Sequence, residues 1–212
     1  MDPIEENLLP EHLRSLQGRR LTHLLYLHGF RSSPQSVKAR LMAEHMSSRY
    51  PQVQWWCPQL SASPGQAMQD VLEALRDWPR QGMAVVGSSL GGFYAHWLAS
   101  RLDCPAVLLN PAVHPARDLA RYIGTHPAWH DSSQQIHFQA RYIDELKTLQ
   151  DTHGPHHPPE LAVIAKGDEV LDWREMWAQH GQSSTLLIEG GDHALSGFEA
   201  LLPRVMHFLM PD

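Results

Sequence analysis

The sequence predicts an α/β fold: a mostly parallel, doubly wound sheet of about six strands, with helices on both faces and a small helical insert. Three observations carry that expectation. Short apolar runs alternate with amphipathic stretches from residue 21 onward, as in βαβ units whose sheet is buried on both sides. Gly, Pro and Asn bound these runs, and such residues end strands and start turns. The chain has 212 residues, 42% hydrophobic and 19% charged, enough for one sizeable core and too apolar for disorder.

Taken in order, residues 1–20 read as an N-terminal extension, with Leu9, Leu13 and Leu16 at helical spacing. A helix there is expected to pack on the body or fray. Residues 21–212 are expected to form a single domain. Its first strand is 24–27, ending at His28 and Gly29. A helix over 34–49 follows, with Leu41, Met42 and Met46 on one side. Residues 53–57 are the second strand, stopped by Pro58. A helix over 64–77 places Met68, Val71, Leu72 and Leu75 at spacings of three and four. The strand at 83–86 runs into Gly87, and a helix continues to about Arg101. Strands at 106–109, 161–164 and 185–188 complete the sheet, and helices of about ten residues or more follow the last two. Residues 111–160 break the rhythm, with helical pieces near 115–123 and 138–149. An insert of that length over strand ends is a lid or packing decoration.

Composition excludes several functions. The 17 Lys+Arg against 23 Asp+Glu give a formal charge of -6, so no nucleic-acid partner is expected. No run approaches transmembrane length, and no membrane span is expected. The acidic start lacks the apolar segment of a secretory signal. Cys57 and Cys104 are too few for a disulfide framework, which favours a reducing, cytoplasmic setting. The chain has 15 His, so any single one is weak evidence. His156 and His157 lack a Cys or carboxylate at ligand spacing and read as a solvated loop. No metal and no cofactor is expected.

The strongest chemical signal is Gly87-Ser88-Ser89-Leu90-Gly91, a G-x-S-x-G run between an apolar strand and a helix. That context makes Ser89 the candidate nucleophile on a sharp strand-to-helix turn. Gly87 and Gly91 remove side chains that would clash in it, and the helix N-terminus adds positive potential. Ser88 is in the wrong register. A serine nucleophile needs a base and an orienting acid, in the chain order Ser, Asp or Glu, His. His193, in the loop after the last strand, is the candidate base. His96 and His207 lie within helices, and His28 reads as structural. Asp168, past the fifth strand, is the candidate acid. Asp172 competes but reads as a helix N-cap with Glu175 at the third position. Glu169 is expected to face away, and Asn110 has no carboxylate. The backbone N–H groups of Leu90 and Phe30 are the expected oxyanion donors, each worth about 3–4 kcal/mol in the transition state. Phe30 also reads as a wall of the acyl pocket, with Phe93 and Trp129 as further aromatics near it.

Several blocks together resemble the YqiA-like small bacterial esterases, a branch of the α/β-hydrolase superfamily. They are residues 25–34, with Tyr26, His28, Gly29 and Phe30; residues 86–95 around Ser89; and residues 109–113, with Asn110. Residues 167–172, with Asp168, continue the series, as do 189–194, with His193, and 197–199. The resemblance runs from about residue 22 to 209, nearly the whole chain. It implies an α/β-hydrolase fold and a cytoplasmic serine esterase acting on small acyl esters or thioesters. It also carries Ser89, Asp168 and His193 over as a catalytic triad. The extension and the His-rich stretch at 153–157 depart from the family pattern. The expected function is therefore carboxylic ester hydrolysis through an acyl-enzyme. An acyl thioesterase, or a non-catalytic binding protein on the same scaffold, is the alternative. Oligomeric state is left open.

Overall fold

The computed structural model describes residues 2–129, 131 and 133–211. Its main sheet has seven strands. They are β1 (Ile4–Asn7), β2 (His23–Leu27), β3 (Gln54–Trp56), β4 (Met83–Ser88), β5 (Ala106–Leu109), β8 (Glu160–Ala165) and β9 (Ser184–Ile188). A separate two-stranded ribbon pairs β6 (Gly124–Pro127) with β7 (Gln135–Phe138). Strand order in the main sheet is β1-β9-β8-β5-β4-β2-β3. All neighbours are parallel except β1, which runs antiparallel to β9.

The central strands are apolar on both faces, because helices cover both. Leu24 and Tyr26 of β2 belong to one core with Met42 and Met46 of α2 (Val37–Arg49) and Phe198 and Phe208 of α8 (Phe198–Leu209). Leu25 and Leu27, one residue out of phase, face the other core. There they meet Met68 of α3 (Pro64–Ala74), Leu98 of α4 (Leu90–Leu102) and Leu146 of α6 (Arg141–Asp151). Period-two alternation thus sends one strand into two cores. Met176 of α7 (Trp173–His180) packs with Ala162 and Ile164 of β8. The accessible surface is 10051 Å², close to the roughly 10,000 Å² that size scaling gives for this mass.

The structure departs from the sequence expectation at three places. Residues 4–7 form an edge strand within the supposed extension, and Ile4 pairs with Ile188. Three of these residues are polar and exposed, so no apolar run marked them. The expected helix does form as α1 (Pro10–Leu16) and buries Leu16 in the core. Second, the insert is not only helical. Beside α5 (Pro115–Leu119) and α6 it carries the β6–β7 ribbon, whose strands are mostly polar. Third, α7 spans 8 residues, shorter than expected, and closes at Gly181. No helix among the described residues is long and apolar enough to cross a membrane.

Because β1 caps an otherwise open sheet edge, it should contribute to stability. Removing residues 1–8 is expected to lower the melting temperature by about 5–10 °C. An unchanged thermal transition would show that the strand merely lies on the edge.

Candidate active site

Five neighbouring strands send their carboxyl-end loops to one place. In sheet order, β9 supplies His193, β8 supplies Asp168, β5 supplies Asn110, β4 supplies Ser89 and β2 supplies Phe30. Open parallel sheets gather functional loops at this edge.

Ser89 sits between β4 and α4 with φ 57 and ψ -121, a conformation rare for a residue with a side chain. Two glycines permit it. A Cβ on Gly87 would lie 2.0 Å from the Gly91 carbonyl oxygen, and one on Gly91 would lie 2.0 Å from the Leu27 carbonyl oxygen. The turn is then held by its backbone. The Ser89 N–H donates to the Leu109 carbonyl at 2.9 Å, and the Ser89 carbonyl accepts from Gly92 N–H at 2.9 Å and Ala112 N–H at 3.0 Å.

The three residues named from sequence meet in one line of hydrogen bonds. Ser89 Oγ lies 3.0 Å from His193 Nε2, and His193 Nδ1 lies 2.7 Å from Asp168 Oδ2. With the Nδ1 proton on the aspartate side, Nε2 is left to accept the serine hydroxyl. The Asp168 side chain is fully buried. Its second oxygen accepts from the Val170 and Leu171 N–H groups, both at 2.8 Å, so the carboxylate is fixed as well as paired.

The rival residues have other duties. Asp172 caps α7 by accepting from the Arg174 N–H at 2.9 Å. His28 donates from Nδ1 to the Gly29 carbonyl at 2.9 Å and accepts at Nε2 from the Leu60 N–H at 3.1 Å, which makes it a brace between two loops. His96 contacts Glu160, and His207 is exposed on α8. His156 is exposed, 3.9 Å from Asp103.

Two residues of the site were not assigned from sequence. Asn110 is fully buried at φ 42. Its Nδ2 donates to the carbonyls of Asp192, at 3.0 Å, and His193, at 3.3 Å, while its Oδ1 accepts from the Ala165 N–H at 2.8 Å. It therefore ties the β5 end to the His193 loop and to β8. The available signal was an Asn that closes a buried strand, since Asn tolerates left-handed backbone. Glu169 does not face away as expected. The chain turns at Lys166-Gly167 rather than staying extended, and Glu169 Oε2 accepts from the His193 N–H at 3.0 Å.

A cavity of about 260 Å³ opens over Ser89 and His193, walled by Tyr26, Phe30, Val37 and Trp129. Trp129 comes from the insert, between the two ribbon strands. It is 72% exposed and stacks under Arg31, whose guanidinium carbon is 4.2 Å from the ring centroid. Phe30 packs edge-on against Phe138 and tilts against Tyr122, both insert residues. Phe93 does not line this cavity but packs with Tyr94 in the core. The β2 loop lies close over Ser89: a Cβ on Gly29 would stand 3.2 Å from the Ser89 Cβ. Leu90 opens α4, so its N–H has no acceptor within the helix. Lys38 donates to the Ala194 carbonyl at 2.5 Å beside the His193 loop. Burial pulls its ammonium down to about 8, against the opposing charges of Asp192 and Asp168.

The family comparison matches residues 23–210 to the uncharacterised protein family UPF0227. The chain belongs to that family. It is the family of the YqiA-like esterases, whose motifs the sequence resembles. Solved structures of similar fold include a putative hydrolase from Agrobacterium vitis S4, at 15% identity and a TM-score of 0.72, covering 98% of this chain and 91% of that one. Est1E from Butyrivibrio proteoclasticus, with ferulic acid bound, is similar at 13% identity and a TM-score of 0.66, over 96% and 91% of the two chains. A putative hydrolase of the alpha/beta superfamily from Xanthomonas campestris pv. campestris is 21% identical, with a TM-score of 0.58 and coverage of 89% and 96%. At these identities the likeness is one of fold, and that fold is the α/β hydrolase.

The Asn110 clamp has a measurable consequence. Asn110→Ala leaves the buried Ala165 N–H without its acceptor and is expected to cost about 1–3 kcal/mol in urea unfolding. A loss under about 0.3 kcal/mol, within the usual additivity error, would mean that the clamp contributes nothing to the fold.

Proposed function

We propose that this chain is a serine hydrolase that cleaves carboxylic esters of small or medium acyl groups. The observation that carries the reading is the continuous contact from Asp168 through His193 to Ser89, at 2.7 and 3.0 Å, beside a cavity. No other hydroxyl in that cavity has a base and a buried carboxylate aligned behind it among the described contacts.

In this reading Ser89 Oγ attacks the acyl carbon while His193 Nε2 takes its proton. Asp168 holds the imidazole and stabilises its charged form. The tetrahedral oxyanion takes hydrogen bonds from the N–H groups of Leu90 and Phe30. His193 then gives the proton to the departing alkoxide. In the second half, His193 takes a proton from water as that water attacks the acyl-enzyme, and returns it to Ser89 Oγ as the acyl–oxygen bond breaks and the acid departs. Asn110 and Glu169 act as positioning residues for His193. The aromatic and aliphatic wall of Phe30, Val37 and Trp129 favours apolar acyl groups. The fold of Est1E, solved with ferulic acid, is compatible with a small ester substrate. Cys57 and Cys104 are both free thiols, which suits a reducing, cytoplasmic setting.

Steady-state hydrolysis of p-nitrophenyl esters graded from acetyl to octanoyl, beside matched acyl thioesters, tests the proposal. Ser89→Ala is expected to lower kcat by at least about 10⁴-fold with little change in KM. A loss below about tenfold would exclude Ser89 as the nucleophile. Faster turnover of every thioester than of its matched ester, per unit of intrinsic reactivity, would replace the esterase reading by a thioesterase.

A further inference from the structure

A second cluster of chemistry-bearing residues lies at the other edge of the sheet. Glu160 is the first residue of β8, whereas Asp168 follows its last. Five strand steps, roughly 17 Å, separate the two ends. Glu160 is buried, with its side chain 9% exposed. His96, from the second turn of α4, brings Nδ1 to 2.5 Å from Glu160 Oε1. His180, the buried last residue of α7, brings its Nδ1 to 3.7 Å from the other carboxylate oxygen.

We propose that His96, Glu160 and His180 form a binding site for a divalent transition-metal ion, of which Zn²⁺ is the model. The three donor atoms lie within 4.8 Å of one another. Zinc bonds of about 2.0–2.1 Å in a tetrahedral site put donors roughly 3.3 Å apart, so small side-chain rotations close the site. Two imidazole nitrogens and one carboxylate oxygen suit zinc, cobalt or nickel, and suit magnesium or calcium poorly. Binding replaces the proton shared between His96 and Glu160, which leaves to solvent.

The surroundings fit an ion. The cluster opens on a cavity of about 300 Å³ whose wall also carries His12, His153, His156 and His157. His153 is the best placed to add a fourth donor: its ring centroid is 4.9 Å from that of His96. Its loop is pressed onto α4, where the Gly154 N–H donates to Ser100 Oγ at 2.9 Å. A Cβ on Gly154 would lie 2.1 Å from the Ser100 carbonyl oxygen, so only glycine lets the loop come this near. His156 and His157 are exposed in a loop, as the sequence leads one to expect; no spacing motif marks the cluster itself, because His96, Glu160 and His180 are distant in the chain. The ion would clip α4, β8 and α7 together, away from Ser89, so its role would be structural.

The test uses the full-length, untagged protein after treatment with chelator. Zinc is titrated calorimetrically, and cobalt is followed by its visible absorption. The expected result is one ion per chain, an intense tetrahedral cobalt spectrum, and a melting temperature raised by about 5 °C or more at saturating zinc. His96→Ala and His180→Ala should each weaken binding at least about tenfold. His207→Ala, on an exposed helix face, should not. Failure to bind a stoichiometric ion, or binding that both cluster variants leave unchanged, would overturn the proposal. If His180→Ala fails to fold, the cobalt spectrum of the parent protein decides: an octahedral spectrum, typical of exposed histidines and water, would overturn it.

Discussion

Ser89 occupies a backbone conformation that costs of order 1–3 kcal/mol, and much of the site is arranged around keeping it there. The strain is tolerable because nothing stands in the two places where side chains would stand. Gly87 and Gly91 each lie against a carbonyl oxygen at distances no Cβ could share. The compensation is local and polar. Ser89 exchanges hydrogen bonds with Leu109, Gly92 and Ala112, which belong to the next strand, the next helix and the loop after β5. A serine held by three separate segments cannot relax without disturbing all of them. Its hydroxyl therefore projects above the sheet with little freedom.

The rest of the site is a problem of distance. His193 belongs to the loop after β9, three strands away from β4, and at about 4.8 Å per strand it must reach back over β8 and β5. Asn110 makes the reach stable. It stands on β5, between the two, and grips the backbone of the His193 loop from below while accepting from Ala165 on β8. Glu169 grips the same loop from the side. Asp168 then needs only to sit at the end of β8 to meet the imidazole. Buried polar side chains in a sheet core are costly unless fully paired, and Asn110 is paired at both ends of its amide.

Much of this was legible in the sequence because the signals were local. The apolar runs that became β2, β4, β5, β8 and β9 needed no partner to be recognised. The G-x-S-x-G run carried its own context, and Asp172 announced its capping role by its spacing to Glu175. What stayed hidden depended on pairing between distant segments. Residues 4–7 are mostly polar and become a strand only because β9 offers an open edge. The β6–β7 ribbon likewise has too little apolar character to be read. Asn110 looked like a failed carboxylate when its function is to hold two loops together. The His96, Glu160 and His180 cluster draws on residues 64 and 20 positions apart, a spacing no ligand motif encodes.

Whether Ser89 is a nucleophile activated by His193 is tested most directly by covalent trapping, which needs no knowledge of the substrate. The folded protein would be treated with a fluorophosphonate, and the adduct located by intact mass and peptide mapping. One adduct per chain is expected, on Ser89 and absent in the Ser89→Ala variant. A folded protein that stays unlabelled, or an adduct on Ser88 or elsewhere, would contradict it.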